Sequence, residues 1–141
     1  VVIAGHKEAV LRALPLAKER GAKMAILIPV SVPSHCALMR EAAERLAELL
    51  GTTKIRVPEI TVLSNVDVTA YETTESIRDG LVRQLSMPVR WVETIQAFSN
   101  AGVTQIIECG PGKVLSGLIK RIDKNIQIVA ASDVASLATL S

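Results

Sequence analysis

His35 is the residue whose type and setting best suit it to chemistry. It stands in Pro29-Val30-Ser31-Val32-Pro33-Ser34-His35-Cys36-Ala37-Leu38-Met39, where an apolar run over 25–30 gives way to a helical pattern. A histidine at a strand end, just as a helix opens, is placed for work in the cleft of an α/β domain. Ser34 is a good N-cap residue and Pro33 keeps its predecessor extended. The spacing predicts a helix over 35–50, with Leu38, Ala42, Leu46 and Leu49 recurring on one face. His35 falls in its first turn, where the helix dipole disfavours imidazolium, and a neutral ring can serve as a general base. A histidine that only caps or packs remains the alternative. Cys36 next door invites a thiol–imidazole pair, but adjacent residues at a helix start point in different directions.

The alcohol that such a base would activate is missing. No G-x-S-x-G nucleophile elbow occurs in the 141 residues. Cys36 and Cys109 form neither a CxxC pair nor a metal-ligand cluster; they read as small buried hydrophobes in a reduced, cytoplasmic setting. Gly110-Pro111-Gly112-Lys113 superficially resembles a phosphate loop. Ile107 stands where the first Walker glycine belongs and Val114 replaces its Ser or Thr, so the segment reads as a tight strand-to-helix turn. His6 reads as a surface or capping residue. Asn65 and Asp67 follow a strand end and read as a turn held by Asx hydrogen bonds, or as lining of a cleft.

The elements that must position these residues alternate. Strand-like segments at 1–4, 25–30, 60–63, 104–109 and 126–130 are separated by helical patterns. Those helices run over 7–20 (with Pro15 inside and Gly21 ending it), 35–50 (stopped by Gly51), 75–85 and 113–122. A further helix opens at Pro88 and runs to Gly102, with Val89, Val92, Ile95 and Phe98 on one face. Thr73 or Thr74 caps the helix over 75–85, whose Ile77, Leu81, Val82 and Leu85 face inward. This alternation predicts an α/β fold with a mainly parallel sheet. Pro29 and Pro33 bracket one crossing, so residues 1–30 read as a separate lobe from 31–141.

Composition narrows the function. Apolar residues make up 49% of the chain, which can therefore bury a core. Tyr71, Trp91 and Phe98 are the only aromatics, too few for base-stacking platforms. A formal charge of +2 does not suit a nucleic-acid or membrane surface. No apolar stretch approaches the roughly 20 residues of a membrane span, and no signal-peptide pattern is present. The chain opens on Val1-Val2-Ile3-Ala4-Gly5, a strand already under way. The expectation is a segment of a longer polypeptide.

Several blocks together carry a resemblance. Val2-Ile3-Ala4-Gly5-His6-Lys7-Glu8-Ala9-Val10, the 29–39 segment, Asn65-Val66-Asp67-Val68, Leu81-Val82-Arg83-Gln84-Leu85 and Gly110-Pro111-Gly112-Lys113-Val114-Leu115 resemble, in order, bacterial malonyl-CoA:acyl-carrier-protein transacylases. The chain looks like the C-terminal half of such an enzyme. The resemblance implies the C-terminal part of an α/β-hydrolase-like acyltransferase core, preceded in 1–30 by the second half of a small ferredoxin-like subdomain. It implies that His35 is the catalytic base, that the Gln84 backbone carbonyl orients its ring, and that Ser34 lies beside the malonyl group. It implies malonyl-CoA and acyl carrier protein as partners, ping-pong transfer in fatty acid synthesis, and neither metal nor cofactor. The family's serine block, its malonyl-binding arginine and its oxyanion glutamine have no counterpart here. The rest of the same polypeptide would have to supply them. Two rival readings stay open at this point: a non-catalytic carrier-protein-binding module, and part of another serine acyltransferase or hydrolase. The basic residues Lys113, Lys120, Arg121 and Lys124 read either as a solvated face or as a docking patch.

Overall fold

The computed structural model describes residues 1–138; residues 139–141 of the expected second lobe lie outside the described residues. The chain forms two compact units, residues 1–89 and 90–141.

The first unit holds α1 (Lys7–Glu19), a 3₁₀ turn at Ala37–Met39, α2 (Arg40–Thr52) and α3 (Thr74–Ser86). Gly21, at φ 91°, ends α1 as its spacing predicts; the N–H groups of Gly21 and Ala22 bond back to the carbonyls of Lys18 and Ala17. Pro15 lies inside the helix, which buries no residue. The pairing of α2 with α3 forms the body of this unit. On α2 the inward face is Met39, Ala43, Leu46 and Leu50, one residue on from the expected stripe; Leu49 is 64% exposed. Gly51 does not stop α2, which continues to Thr52. Arg78 of α3 donates from Nε to the Leu50 carbonyl (2.9 Å) and from Nη2 to that of Thr53 (3.0 Å). These bonds add to the capping of the end of α2, where the Leu50 carbonyl also accepts from the Thr53 amide, and fix one helix against the other. Thr73, with Ser76, builds a capping box at the start of α3. Midway along α3, buried Gly80 leaves room for the Tyr71 ring; a Cβ there would collide with the phenol oxygen.

Segments 1–4, 25–30 and 60–63 do not form the expected strands. Their apolar side chains, Val2, Ile3, Ile26, Leu27 and Ile60 among them, lie exposed on backbone with no ladder; a single antiparallel bridge joins Leu63 to Ala70. Apolar, β-prone sequence is a disposition to pair. Without a neighbouring strand the backbone groups have no ladder to join, and the segment stays irregular.

The second unit contains α4 (Trp91–Asn100), β1 (Gln105–Cys109), α5 (Val114–Ile122), β2 (Gln127–Ala131) and α6 (Val134–Leu137), the last an element the sequence pattern did not predict. The strands β1 and β2 pair in parallel, from Gln105 with Gln127 to Cys109 with Ala131, and α5 makes the crossover between them. This is the parallel α/β unit expected from the alternation, in a two-stranded sheet. Ile95, Ile119 and Ile126 are buried at its centre, with Trp91, Phe98, Ile106, Ile122 and Ile128 packed against them. Pro88 does not open α4; the helix starts at Trp91, so its inward stripe is Trp91, Ile95 and Phe98 while Val89 and Val92 face out. Gly102, at φ 81°, terminates α4 as expected.

The turn from β1 to α5 explains why Gly110-Pro111-Gly112-Lys113 is no phosphate cradle. Glu108 accepts hydrogen bonds from the amides of Leu115 (2.9 Å) and Ser116 (2.8 Å) and from the Ser116 hydroxyl (2.6 Å). A carboxylate of the protein's own occupies the N-terminal donors of α5 that an anion would need. The Ser116 hydroxyl bond, followed by the backbone donors, holds the Glu108 pKa below its ordinary value of 4.5. A carboxyl depressed on folding stabilises the fold above its unfolded pKa, and that contribution is lost as pH falls through the folded one. Glu108→Gln is therefore expected to lower the denaturation midpoint at neutral pH. It should also flatten the midpoint's decline on acidification below about pH 4.5, the ordinary carboxyl range. Urea titrations at several pH values check this; an acid limb as steep as the parent's would contradict it.

Candidate functional site around His35

The chain reaches His35 through a tight turn. The amide of Ser34 bonds to the Val32 carbonyl (2.9 Å), and the Cys36 thiol donates to the Pro33 carbonyl (3.2 Å). His35 lies in this turn with φ 62°, the left-handed region that side-chain-bearing residues seldom adopt. It is therefore not in the first turn of a helix. The 3₁₀ turn begins two residues later and α2 only at Arg40. Ser34 does not cap either: Cys36 and Met39 occupy the cap positions, without side-chain cap bonds. Proline at 33 and the sharp turn delay the helix, so no N-terminal helix dipole acts on His35.

A different helix end governs the ring. The Nδ1 atom of His35 lies 2.8 Å from the Gln84 carbonyl, and the His35 amide bonds to the Leu85 carbonyl (2.9 Å). Both carbonyls belong to the last turn of α3, where helical geometry supplies no internal donor. A carbonyl only accepts, so Nδ1 is the donor; in the neutral ring that tautomer leaves the lone pair on Nε2. Such a ring is oriented at one nitrogen and basic at the other. The residue is exposed, so the ring is not sealed in the core. A left-handed φ at a non-glycine costs on the order of 1–3 kcal/mol. Two bonds to successive carbonyls 49 and 50 positions further along hold His35 there.

The structure thus brings His35 and the Gln84 carbonyl together and leaves Ser34 exposed beside them. Cys36 is half-buried and bonded to Pro33, whereas Cys109 is exposed, contrary to the expectation of two buried thiols. His6 is the exposed N-cap residue of α1, as its position suggested. The Ser64 hydroxyl helps hold the turn at 64–68. The Ser64 hydroxyl accepts from the amides of Val66 (3.2 Å) and Asp67 (3.3 Å), while Asp67 takes a bidentate bond from Arg83. Sequence reasoning missed this Arg83–Asp67 tie. Its only signal was a lone cation on the otherwise apolar-facing Leu81-Val82-Arg83-Gln84-Leu85 stretch. Among the described residues no group of three or more His, Cys, Asp or Glu is arranged to hold a metal, and no helix is long and apolar enough to cross a membrane.

The chain is similar in sequence and in fold to known proteins. The chain is 55% identical over 136 residues to the malonyl CoA-acyl carrier protein transacylase of Haemophilus influenzae, covering 96% of this chain and 44% of that protein. It superimposes on an acyl carrier protein S-malonyltransferase from Vibrio cholerae with a TM-score of 0.93, at 52% identity, over 97% of this chain and 45% of the other. A malonyl-transacylase solved in complex with its type II acyl-carrier protein matches with a TM-score of 0.93, at 50% identity, over 96% of this chain and 44% of that one. No protein-family model matches. The α/β fold matches part of the fold of these solved transacylases. More particularly, the chain is homologous along nearly its whole length to the malonyl CoA-acyl carrier protein transacylases, and it spans a little under half the length of the relatives it matches.

Proposed function

We propose that this chain is the C-terminal half of a malonyl-CoA:acyl-carrier-protein transacylase acting in cytoplasmic fatty acid synthesis. In this reading, residues 1–30 contribute to a small ferredoxin-like subdomain and 31–141 to the large catalytic one. The observation that supports it best is the 2.8 Å contact between His35 Nδ1 and the Gln84 carbonyl. A carbonyl fills the orienting role that a carboxylate plays in a Ser-His-Asp triad, fixing the tautomer without adding charge.

The chemistry follows from that ring. Nε2 of His35 takes the proton of a serine hydroxyl carried by the remainder of the polypeptide, as the serine oxygen bonds to the thioester carbon of malonyl-CoA. The tetrahedral intermediate collapses, the C–S bond breaks, and the imidazolium returns its proton to the departing CoA thiolate. The phosphopantetheine thiol of the carrier protein then gives its proton to Nε2 and attacks the malonyl-serine ester. The serine leaves with that proton, and the cycle closes. Every step is acyl and proton transfer, so the reading calls for no metal or cofactor. Ser34, exposed next to His35, would lie beside the malonyl group.

The test is mass spectrometry of phosphopantetheinylated carrier protein incubated with malonyl-CoA and the complete polypeptide. Malonylated carrier and a malonyl-serine on the enzyme are expected. Release of free malonate alone would make the protein a hydrolase. Carrier binding without transfer would make it a binding module.

The exposed cations Lys120 and Arg121, in the last turn of α5, would face the acidic carrier. Reversing both to glutamate is expected to raise the carrier's apparent KM about tenfold at low salt while leaving the KM for malonyl-CoA unchanged, as for charges at an interface rim. An unmoved carrier KM would place the docking surface elsewhere.

A further inference from the structure

The end of α3 does more than terminate a helix. Of its last carbonyls, that of Arg83 accepts from the Met87 amide, that of Gln84 from the His35 ring, and that of Leu85 from the His35 backbone. The orientation of the imidazole is therefore set by where this final turn sits. Arg78 and packing hold α3 against α2, and the Arg83 side chain ties its last turn to the 64–68 turn. Its Nη1 donates to Asp67 Oδ1 (2.7 Å) and its Nη2 to Asp67 Oδ2 (2.5 Å), a planar two-pronged pair that fixes direction as well as distance. Its Nε donates to Asp79 Oδ2 (2.6 Å). Asp79 rides on the same helix and cannot locate it.

Asp67 can, because its turn is built to stay put. Ser64 is 1% exposed and its hydroxyl accepts from two amides of the turn. The Ser64 amide bonds to the Thr69 carbonyl (2.8 Å) and the Val68 amide to that of Ser64 (2.9 Å). The bridge from Leu63 to Ala70 closes the loop behind it. Val68, at φ 60°, is held in the left-handed region, as His35 is.

We propose that the Asp67–Arg83 pair is a positioning device for His35, anchoring the last turn of α3 so that its carbonyls hold the imidazole in one tautomer and direction. Arg83 is then a positioning residue rather than a catalytic one. The pair's side chains are each about one-third exposed, and such pairs contribute little to global stability. Geometry is more sensitive: a displacement of roughly 1 Å in a reacting group can cost about 10²-fold in rate. Positioning and bulk stability should therefore separate. The inference rests on the acyl-transfer reading for its kinetic consequence and on the fold alone for its spectroscopic one.

The experiment compares Asp67→Asn and Asp79→Asn in the complete polypeptide, with ¹⁵N-labelled histidine. Asp67→Asn is expected to shift the His35 ring from the Nδ1–H form toward a mixture of tautomers. It should lower kcat about tenfold, a fraction of the full misplacement penalty, with the KM for malonyl-CoA unchanged. Asp79→Asn should leave both readouts as they are. If Asp67→Asn does not fold, Arg83→Lys, which keeps the charge and loses the fork, should give a smaller change in the same direction. A parental tautomer signal in the variant, with or without a lower melting temperature, overturns the proposal. A shifted tautomer in a polypeptide that transfers no malonyl group upholds it and removes the acyl-transfer reading instead.

Discussion

Purified by itself, the 141-residue chain is expected to transfer no measurable malonyl group from CoA to carrier protein. In the proposed reading His35 is a base whose partner alcohol lies elsewhere, since no G-x-S-x-G block occurs in this sequence. Loss of the nucleophile from a serine enzyme costs about 10⁶-fold, and the residual rate depends on an oxyanion hole and bound substrate. The family's arginine and glutamine blocks are absent as well, so even that residue of activity should be missing. Stopped assays with radiolabelled malonyl-CoA would check the expectation. Adding the complementary polypeptide in trans should restore transfer if the two pieces associate. Turnover by the isolated chain would require another nucleophile, and the half-buried Cys36 beside His35 would become the first residue to examine.

In the complete polypeptide, His35→Ala is expected to reduce kcat about 10⁴-fold. General base catalysis contributes roughly 10²–10⁴, and in the proposed reading the same ring would both take the serine's proton and return it to the leaving thiolate. The KM for malonyl-CoA should change little, because the imidazole acts on the reacting atoms rather than on ground-state binding. Removing a group used only in the transition state lowers kcat and kcat/KM together. The substitution has a structural bonus to separate out. Alanine tolerates φ 62° no better than histidine, and it gives up the Gln84 bond that holds the turn. His35→Asn, which keeps a side chain suited to the left-handed region and a donor for that carbonyl, is the cleaner variant. An equal loss in both variants would assign the effect to the proton chemistry. A loss in alanine alone would assign it to the turn.

These expectations show where the sequence was informative. Helix existence was legible because apolar spacing and caps are local. Thr73 caps α3, and Gly21 and Gly102 end their helices where a left-handed residue is needed. The parallel pairing of β1 and β2 around α5 followed from strand–helix–strand alternation. The blocks that resembled a transacylase were legible as strings, and His35 and Gln84 could be named from them.

What the sequence determined by itself was chemical and local: a histidine in a Pro-Ser-His segment, a chain without an elbow serine, and helices with definite stops. Tertiary structure alone decided which face of α2 and α4 turned inward, because packing against a partner helix selects among several nearly apolar stripes one residue apart. It decided that 1–4 and 25–30 form no ladder and that 60–63 keeps only the bridge from Leu63 to Ala70, since a strand exists only with a neighbour to share its hydrogen bonds. It decided, too, that His35 is governed by the C-terminal turn of α3, 49 positions away, and not by the helix it precedes. A carbonyl left over at a helix end has no signature in the sequence, and where it points depends on the arginine and aspartate that hold that end in place.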